Sequence, residues 1–223
     1  MFHVPCSMKI SPIVSYFVHQ GVPLDTVVLL LMLPIIVTMI AFFRQVIGIK
    51  AFGIYTPAIV IFAFLATGIK YGLALFVSVI VVGMVSRILF KKLRILYLPR
   101  VAITISIVAF AMLAVLVLGG SLKRTGLAAV SIFPLIIMIT IVEKFVSAQI
   151  EKGNRTALIL ALETLFISLA GYYLASWGFL VSAIKTYPWI ILFSIPINIL
   201  LGKWTGLRLA EYFRFREVLK KIQ

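Results

Sequence analysis

The stretch RQVIGIKAFGIYTPA, Arg44 to Ala58, decides how this chain is read. A long apolar run precedes it and another follows. It carries two glycines (Gly48, Gly53), a Thr-Pro pair (Thr56, Pro57) and two cations (Arg44, Lys50). In a membrane protein such a stretch is either a loop or a broken helix. From Pro57 to Gly68 a helix would rise only ~18 Å, too little for a ~30 Å hydrocarbon core. To cross, the helix must begin between Gly48 and Gly53, with Lys50 reaching back to the interface. The residue before a proline disfavours α geometry, so the break is expected at Thr56.

The rest of the chain explains why a bilayer is the relevant solvent. Apolar residues make up 63% of 223 and charged residues 12%, far from the roughly even balance of a soluble domain. The mean hydropathy is +1.21. The formal charge of +15 would suggest nucleic acid in a soluble protein. Here the cations flank apolar runs and the aromatics are not interleaved with them on a polar face. Nucleic acid is therefore not expected as a partner, and the lipid bilayer is.

Outward from the opening stretch, the apolar runs give seven crossings. Residues 1–22 are a mixed lead-in, and Ile10–Val18 lacks the length and cleavage site of a signal peptide. The first span is Leu24–Phe43, with Asp25 in its first turn and Pro34 inside. The second comes from the opening stretch. The others are expected at Tyr71–Phe90, Val101–Leu118 (stopped by Gly119-Gly120), Leu127–Val142, Thr156–Trp177 and Tyr187–Leu201. A polar helical extension, Phe145–Arg155, should follow the fifth and end at Gly153-Asn154. Thus residues 23–203 form one seven-transmembrane domain, and residues 204–223 form a basic tail. Leu207, Tyr212, Phe213 and Phe215 suggest an amphipathic helix on the membrane surface there.

Lysine and arginine set the orientation. Seven crossings place 16 of them on the side of the C-terminus and 5 on the other. The N-terminus is then outside and the C-terminus cytoplasmic. If the second segment re-enters instead, the count is 15 against 6 with the N-terminus inside, so charge alone leaves six and seven crossings open. A shift of one hundred residues also pairs Pro34 with Pro134, Arg44 with Lys144, Gly53 with Gly153 and Thr56 with Thr156. That pattern raises a parallel repeat of three helices, a linker helix and three helices.

Chemistry-bearing residues are few. Cys6 is alone, and His3 and His19 precede the first span, so neither a disulfide framework nor a metal site is expected. With one aspartate, Asp25, and no histidine in a span, intramembrane hydrolases built on a histidine or two aspartates are excluded. No nucleophile elbow or phosphate-binding loop occurs. The expectation is a protein without catalytic residues and without a cofactor. Glu163 is the one carboxylate well inside a span. Such a group is usually paired or functional. Arg44, Arg87 and Lys144 are the expected partners. Glu143, Lys144, Gln149, Glu151 and Lys152 form a polar patch, read as a solvated face or a docking surface. Thr38, Ser78, Thr104, Ser106, Thr140, Ser168 and Asn198 are expected to hydrogen-bond between helices. The residues singled out for partner or substrate contact are Arg44, Lys50, Gly53, Thr56, Pro57, Glu143, Lys144 and Glu163.

Four stretches together resemble a bacterial family: LPIIVTMIAFFRQVIGIKAFGIYTPAIV (33–60), KKLRILYLPR (91–100), VEKFVSAQIEKGNRTAL (142–158) and GKWTGLRLAEYFRFR (202–216). They are similar to the seven-transmembrane domain usually fused to an inactive transglutaminase-like domain. The resemblance covers about residues 22 to 216. It implies an extracytoplasmic transglutaminase-like domain before the helices, which agrees with an outside N-terminus and favours seven crossings. It also implies a place in the bacterial inner membrane beside a cytoplasmic ATP-grasp ligase and a retropepsin-like protease. Residues 1–22 are too short for the exported domain, which leaves a stand-alone form, half of a split gene or a piece of a longer chain. The leading expectation is a non-enzymatic scaffold or export component of a peptide or amide-ligation system. The alternative is a small-solute or peptide transporter, with a broken-helix site near Gly53–Pro57 and Glu163.

Overall fold

A computed structural model describes residues 11–90, 96–121 and 132–203, and no strand occurs among them. The basic run at Lys91, Lys92 and Arg94, the turn at Lys123-Arg124, and the tail 204–223 lie outside the described residues. The chain divides into two compact units, residues 1–50 with 169–223, and residues 51–168.

In the first unit, α1 (Pro12–His19) is capped by Ser11, whose hydroxyl accepts from the Val14 N–H. Then α2 (Leu24–Phe42) begins with Asp25 in its first turn, where a carboxylate complements the helix dipole. Its buried residues Val28, Met32, Ile36 and Ile40 repeat every four positions, so one stripe packs against protein. A π-helical turn, Phe43–Ile47, continues it and ends at left-handed Gly48. Later in the chain, α8 (Gly178–Thr186) is followed by a 3-10 turn, Pro188–Phe193, and α9 (Ser194–Lys203). Asn198 pins α9 to α2: its Nδ2 donates to Thr38 Oγ1 at 2.7 Å and to the Ser194 carbonyl at 2.8 Å. The seventh span expected at 187–201 is thus a 3-10 turn running into a helix.

In the second unit, α3 (Tyr55–Thr67) and α4 (Ile69–Phe90) fold back on each other at Gly68. The φ of Gly68 is +79°, in the range glycine adopts without cost. After α4 come α5 (Tyr97–Ser121), α6 (Ile132–Lys152) and α7 (Asn154–Ala175), the last of which passes into the first unit. Gly119 and Gly120 do not stop α5, which continues through them. Glycine is tolerated in spans because neighbouring helices and lipid protect the backbone hydrogen bonds. The extension beyond the fifth span forms as expected and stops at Gly153, φ +85°. The core holds Ile61, Phe64, Leu75, Met138 and Phe145, all fully buried. At Gly83 α6 packs on α4, where a Cβ would make ordinary contact with Phe145 Cδ1 at 3.4 Å and Val142 Cγ1 at 3.5 Å.

Among the described residues, five helices are long and apolar enough to cross a membrane, or six if the bent pair α8/α9 counts as one span. At 13 residues, or ~20 Å, α3 is too short to cross as helix alone. A seventh crossing at α3 needs the non-helical residues before it to supply the remaining depth.

Most hydroxyls within spans do not link helices. Ser78, Ser86, Thr104, Ser106 and Thr140 each donate to the carbonyl four residues back in their own helix. This overturns the expectation for Ser78, Thr104, Ser106 and Thr140. The i−4 carbonyl is the nearest acceptor a serine or threonine meets in a helix. Thr38–Asn198 and Ser168–Pro57 do link elements distant in sequence.

Candidate functional site

Residues 48–54 are not helical. In hydrocarbon, each backbone N–H that lacks a partner costs several kcal/mol. Two consecutive side chains on α7 meet this need. Glu163 Oε2 accepts from the Ala51 N–H at 3.0 Å, and Thr164 Oγ1 accepts from the Phe52 N–H at 3.1 Å. Thr164 donates its own proton to the Leu160 carbonyl at 2.7 Å. One turn on, Ser168 donates to the Pro57 carbonyl at 3.4 Å and to the Thr164 carbonyl at 2.8 Å. The face of α7 bearing Thr164 and Ser168 thus runs alongside the broken segment, with Glu163 at its edge.

The break lies earlier than Thr56. Ala51 has φ +38° and Gly53 φ +91°, both left-handed. Glycine takes this geometry freely, whereas alanine is strained by ~1–2 kcal/mol. Thr56 already lies in the first turn of α3, where its hydroxyl donates to the Phe52 carbonyl at 2.9 Å. Pro57 is the third residue of that helix. The first four N–H groups of a helix have no internal acceptor, so proline costs nothing there. The ring of Phe52 stacks edge-on against Phe145 of α6, centroids 6.4 Å apart, and closes the turn on its other side.

Gly53, Thr56, Pro57 and Glu163 therefore come together. Glu143, half-buried, and Lys144, exposed, lie on α6 instead. Arg44 sits half-buried in the π-helical turn and Lys50 is exposed. Glu163 Oε2 accepts from a backbone N–H. Sequence reading missed Thr164, although its four-residue spacing from Ser168 on the side facing the break was a usable signal.

The polar patch on α6 also needs correction. Lys144, Glu151 and Lys152 are exposed, but Gln149 has 0% of its surface exposed. Neither its Oε1 nor its Nε2 has a hydrogen-bond partner. A buried, unpaired carboxamide destabilises by ~1–3 kcal/mol. Gln149→Met keeps the volume and removes the polar atoms, so it is expected to stabilise the protein by that amount. Denaturant titration in detergent checks this, and a marked loss of stability would show that the carboxamide is engaged.

Between α4 and α7 lies a groove of about 180 Å³ lined by apolar side chains, among them Phe76, Ile80, Met84, Leu158 and Leu162. Glu163 does not line it. Among the described residues, no three His, Cys, Asp or Glu side chains are grouped to hold a metal ion.

A set of long apolar helices fits what the family comparison finds. Residues 10–219 match the family described as seven transmembrane helices usually fused to an inactive transglutaminase. The chain belongs to this family. Membership makes it a multi-pass membrane protein of the transglutaminase-associated seven-helix type. No curated protein and no solved structure matches the chain.

Proposed function

We propose that this seven-helix protein is a non-enzymatic module of the bacterial inner membrane, a scaffold or export component of a peptide or amide-ligation system. Its N-terminus lies outside and its C-terminus in the cytoplasm. A cytoplasmic ATP-grasp ligase docks on the charged end of α6 and α7, and a transglutaminase-like domain acts on the other side. The observation that carries this reading is the use of Glu163. The intramembrane carboxylate most suited to hold a solute is hydrogen-bonded to the chain's own backbone at Ala51. The exposed side chains of Lys144, Glu151, Lys152 and Arg155 meanwhile offer a mixed-charge surface to a soluble partner. The repeat gains support from Gly53 and Gly153, which pair at the one-hundred-residue shift and share a left-handed φ just before a helix.

The test is co-purification from detergent of the full chain with the ATP-grasp ligase encoded beside it. Association that is lost when Lys144, Lys152 and Arg155 are changed to glutamate is the expected result. Absence of association for both the parent and the variant would sink the proposal.

A further inference from the structure

We propose that α1 and α8 lie in the plane of the membrane as a collar, each with one flank in lipid and one in water, and that their ligand is the bilayer interface itself. The first observation is an angle. The axis of α8 is bent by 105° from the apolar segment Pro188–Lys203 that follows it. With that segment along the bilayer normal, α8 lies within about 15° of the membrane plane, the excess of 105° over a right angle. A typical span tilt of ~20° still leaves it much closer to the plane than to the normal. On that placement α8 is not half of a broken span.

The second observation is a three-sector pattern at about 100° per residue. On α8, Val181, Ile184 and Lys185 are buried against protein. Almost opposite that sector lies Phe179, 73% exposed, and the apolar surface continues from it through Ala183 and Leu180 to one side. To the other side lie Ser182 and Thr186. On α1, Val14 is buried, Ile13 and Phe17 form an exposed apolar flank four residues apart, and on the other side, past the partly exposed Val18, Ser15 and His19 form a polar flank at the same spacing. A spanning helix would be apolar all round its free surface, and a helix in water would be polar there. Splitting the free surface into an apolar and a polar half is what a helix at the headgroup boundary requires.

The third observation is that the two helices are fixed to one end of the same unit. The Ser11 N–H donates to the Lys185 carbonyl at 3.0 Å, and both helices pack on α2. Exposed aromatics gather there: Tyr16 on α1, and Trp177, Tyr187 and Trp189 beside α8. Tryptophan and tyrosine concentrate at membrane interfaces because their rings are amphipathic. Under the proposed orientation this is the extracytoplasmic face, but the collar itself does not depend on that assignment.

The test uses the full chain in phosphatidylcholine–phosphatidylglycerol vesicles, with Cys6→Ser and one spin label at a time on Phe17→Cys, His19→Cys, Phe179→Cys or Ser182→Cys. Collision with oxygen, which concentrates in lipid, is compared with collision with a water-soluble nickel chelate. Oxygen should dominate at positions 17 and 179, and nickel at 19 and 182, with the preference reversing within each helix. Oxygen preference at all four would make the helices membrane-inserted. Nickel preference at all four would place them in water, and shielding from both reagents would mean that protein covers them. Each of these three results overturns the proposal.

Discussion

Glu163→Ala is expected to destabilise the protein by ~1–3 kcal/mol, because it leaves the Ala51 N–H without its acceptor beside a non-helical segment. The effect should sit at the upper end if the segment lies in hydrocarbon, where water cannot replace the carboxylate. Glu163→Gln keeps a carbonyl oxygen in reach of that N–H, so its cost should stay within ~1 kcal/mol. The pair of variants separates two roles of one side chain. If Glu163 is a clamp, alanine damages the fold, glutamine does not, and ligase association survives in the glutamine variant. If the carboxylate instead carried a proton or solute, the glutamine variant would fold normally and lose uptake in proteoliposomes. Unfolding in detergent, followed by tryptophan fluorescence, measures the stability of both. A Glu163→Ala variant as stable as the parent would remove the clamp.

The second large effect is expected at Gly72. A Cβ at this position would stand 2.5 Å from Phe64 Cδ1 and 2.9 Å from Thr67 Oγ1. The ring of Phe64 cannot simply swing away, since it is fully buried and stacks edge-on with Phe76 at 6.4 Å. Alanine normally gains ~1 kcal/mol over glycine inside a helix. Here the overlap should win, and Gly72→Ala should destabilise by ~1–3 kcal/mol net, with Gly72→Leu worse. Phe64→Leu should relieve part of this, giving a favourable coupling of ~0.5–3 kcal/mol in a double-mutant cycle. A neutral or stabilising Gly72→Ala would mean that α3 and α4 do not approach so closely.

The apolar runs carry most of the architecture, because a span must be long and apolar whatever its neighbours are. The first, third and sixth spans therefore fall within a few residues of α2, α4 and α7. The break is not at Thr56 because the steric bias before proline is only a preference, and Thr56 is helical in spite of it, with its hydroxyl bonded to the Phe52 carbonyl. Pro57 sits in a first turn, and the irregular backbone lies with Ala51 and Gly53 instead. Nothing local in the sequence marks Ala51 as left-handed; that conformation depends on Glu163 and Thr164, more than one hundred residues away. Gln149 was readable in principle. It continues the buried line of Met138, Val142 and Phe145 at helical spacing, but its amide suggested water. Periodicity was the better guide there than polarity.

The hydroxyls that bond within their own helices bear on how the protein is made. A span whose serines and threonines are already satisfied presents a uniformly apolar surface and can leave the translocon for lipid alone, without waiting for a partner helix. The broken segment cannot. The Ala51 and Phe52 N–H groups take their acceptors from α7, which is synthesised more than one hundred residues later. During biosynthesis these groups must stay at the water boundary until α7 arrives. Membrane entry of this stretch is therefore a late step, set by the sixth span rather than by its own hydrophobicity.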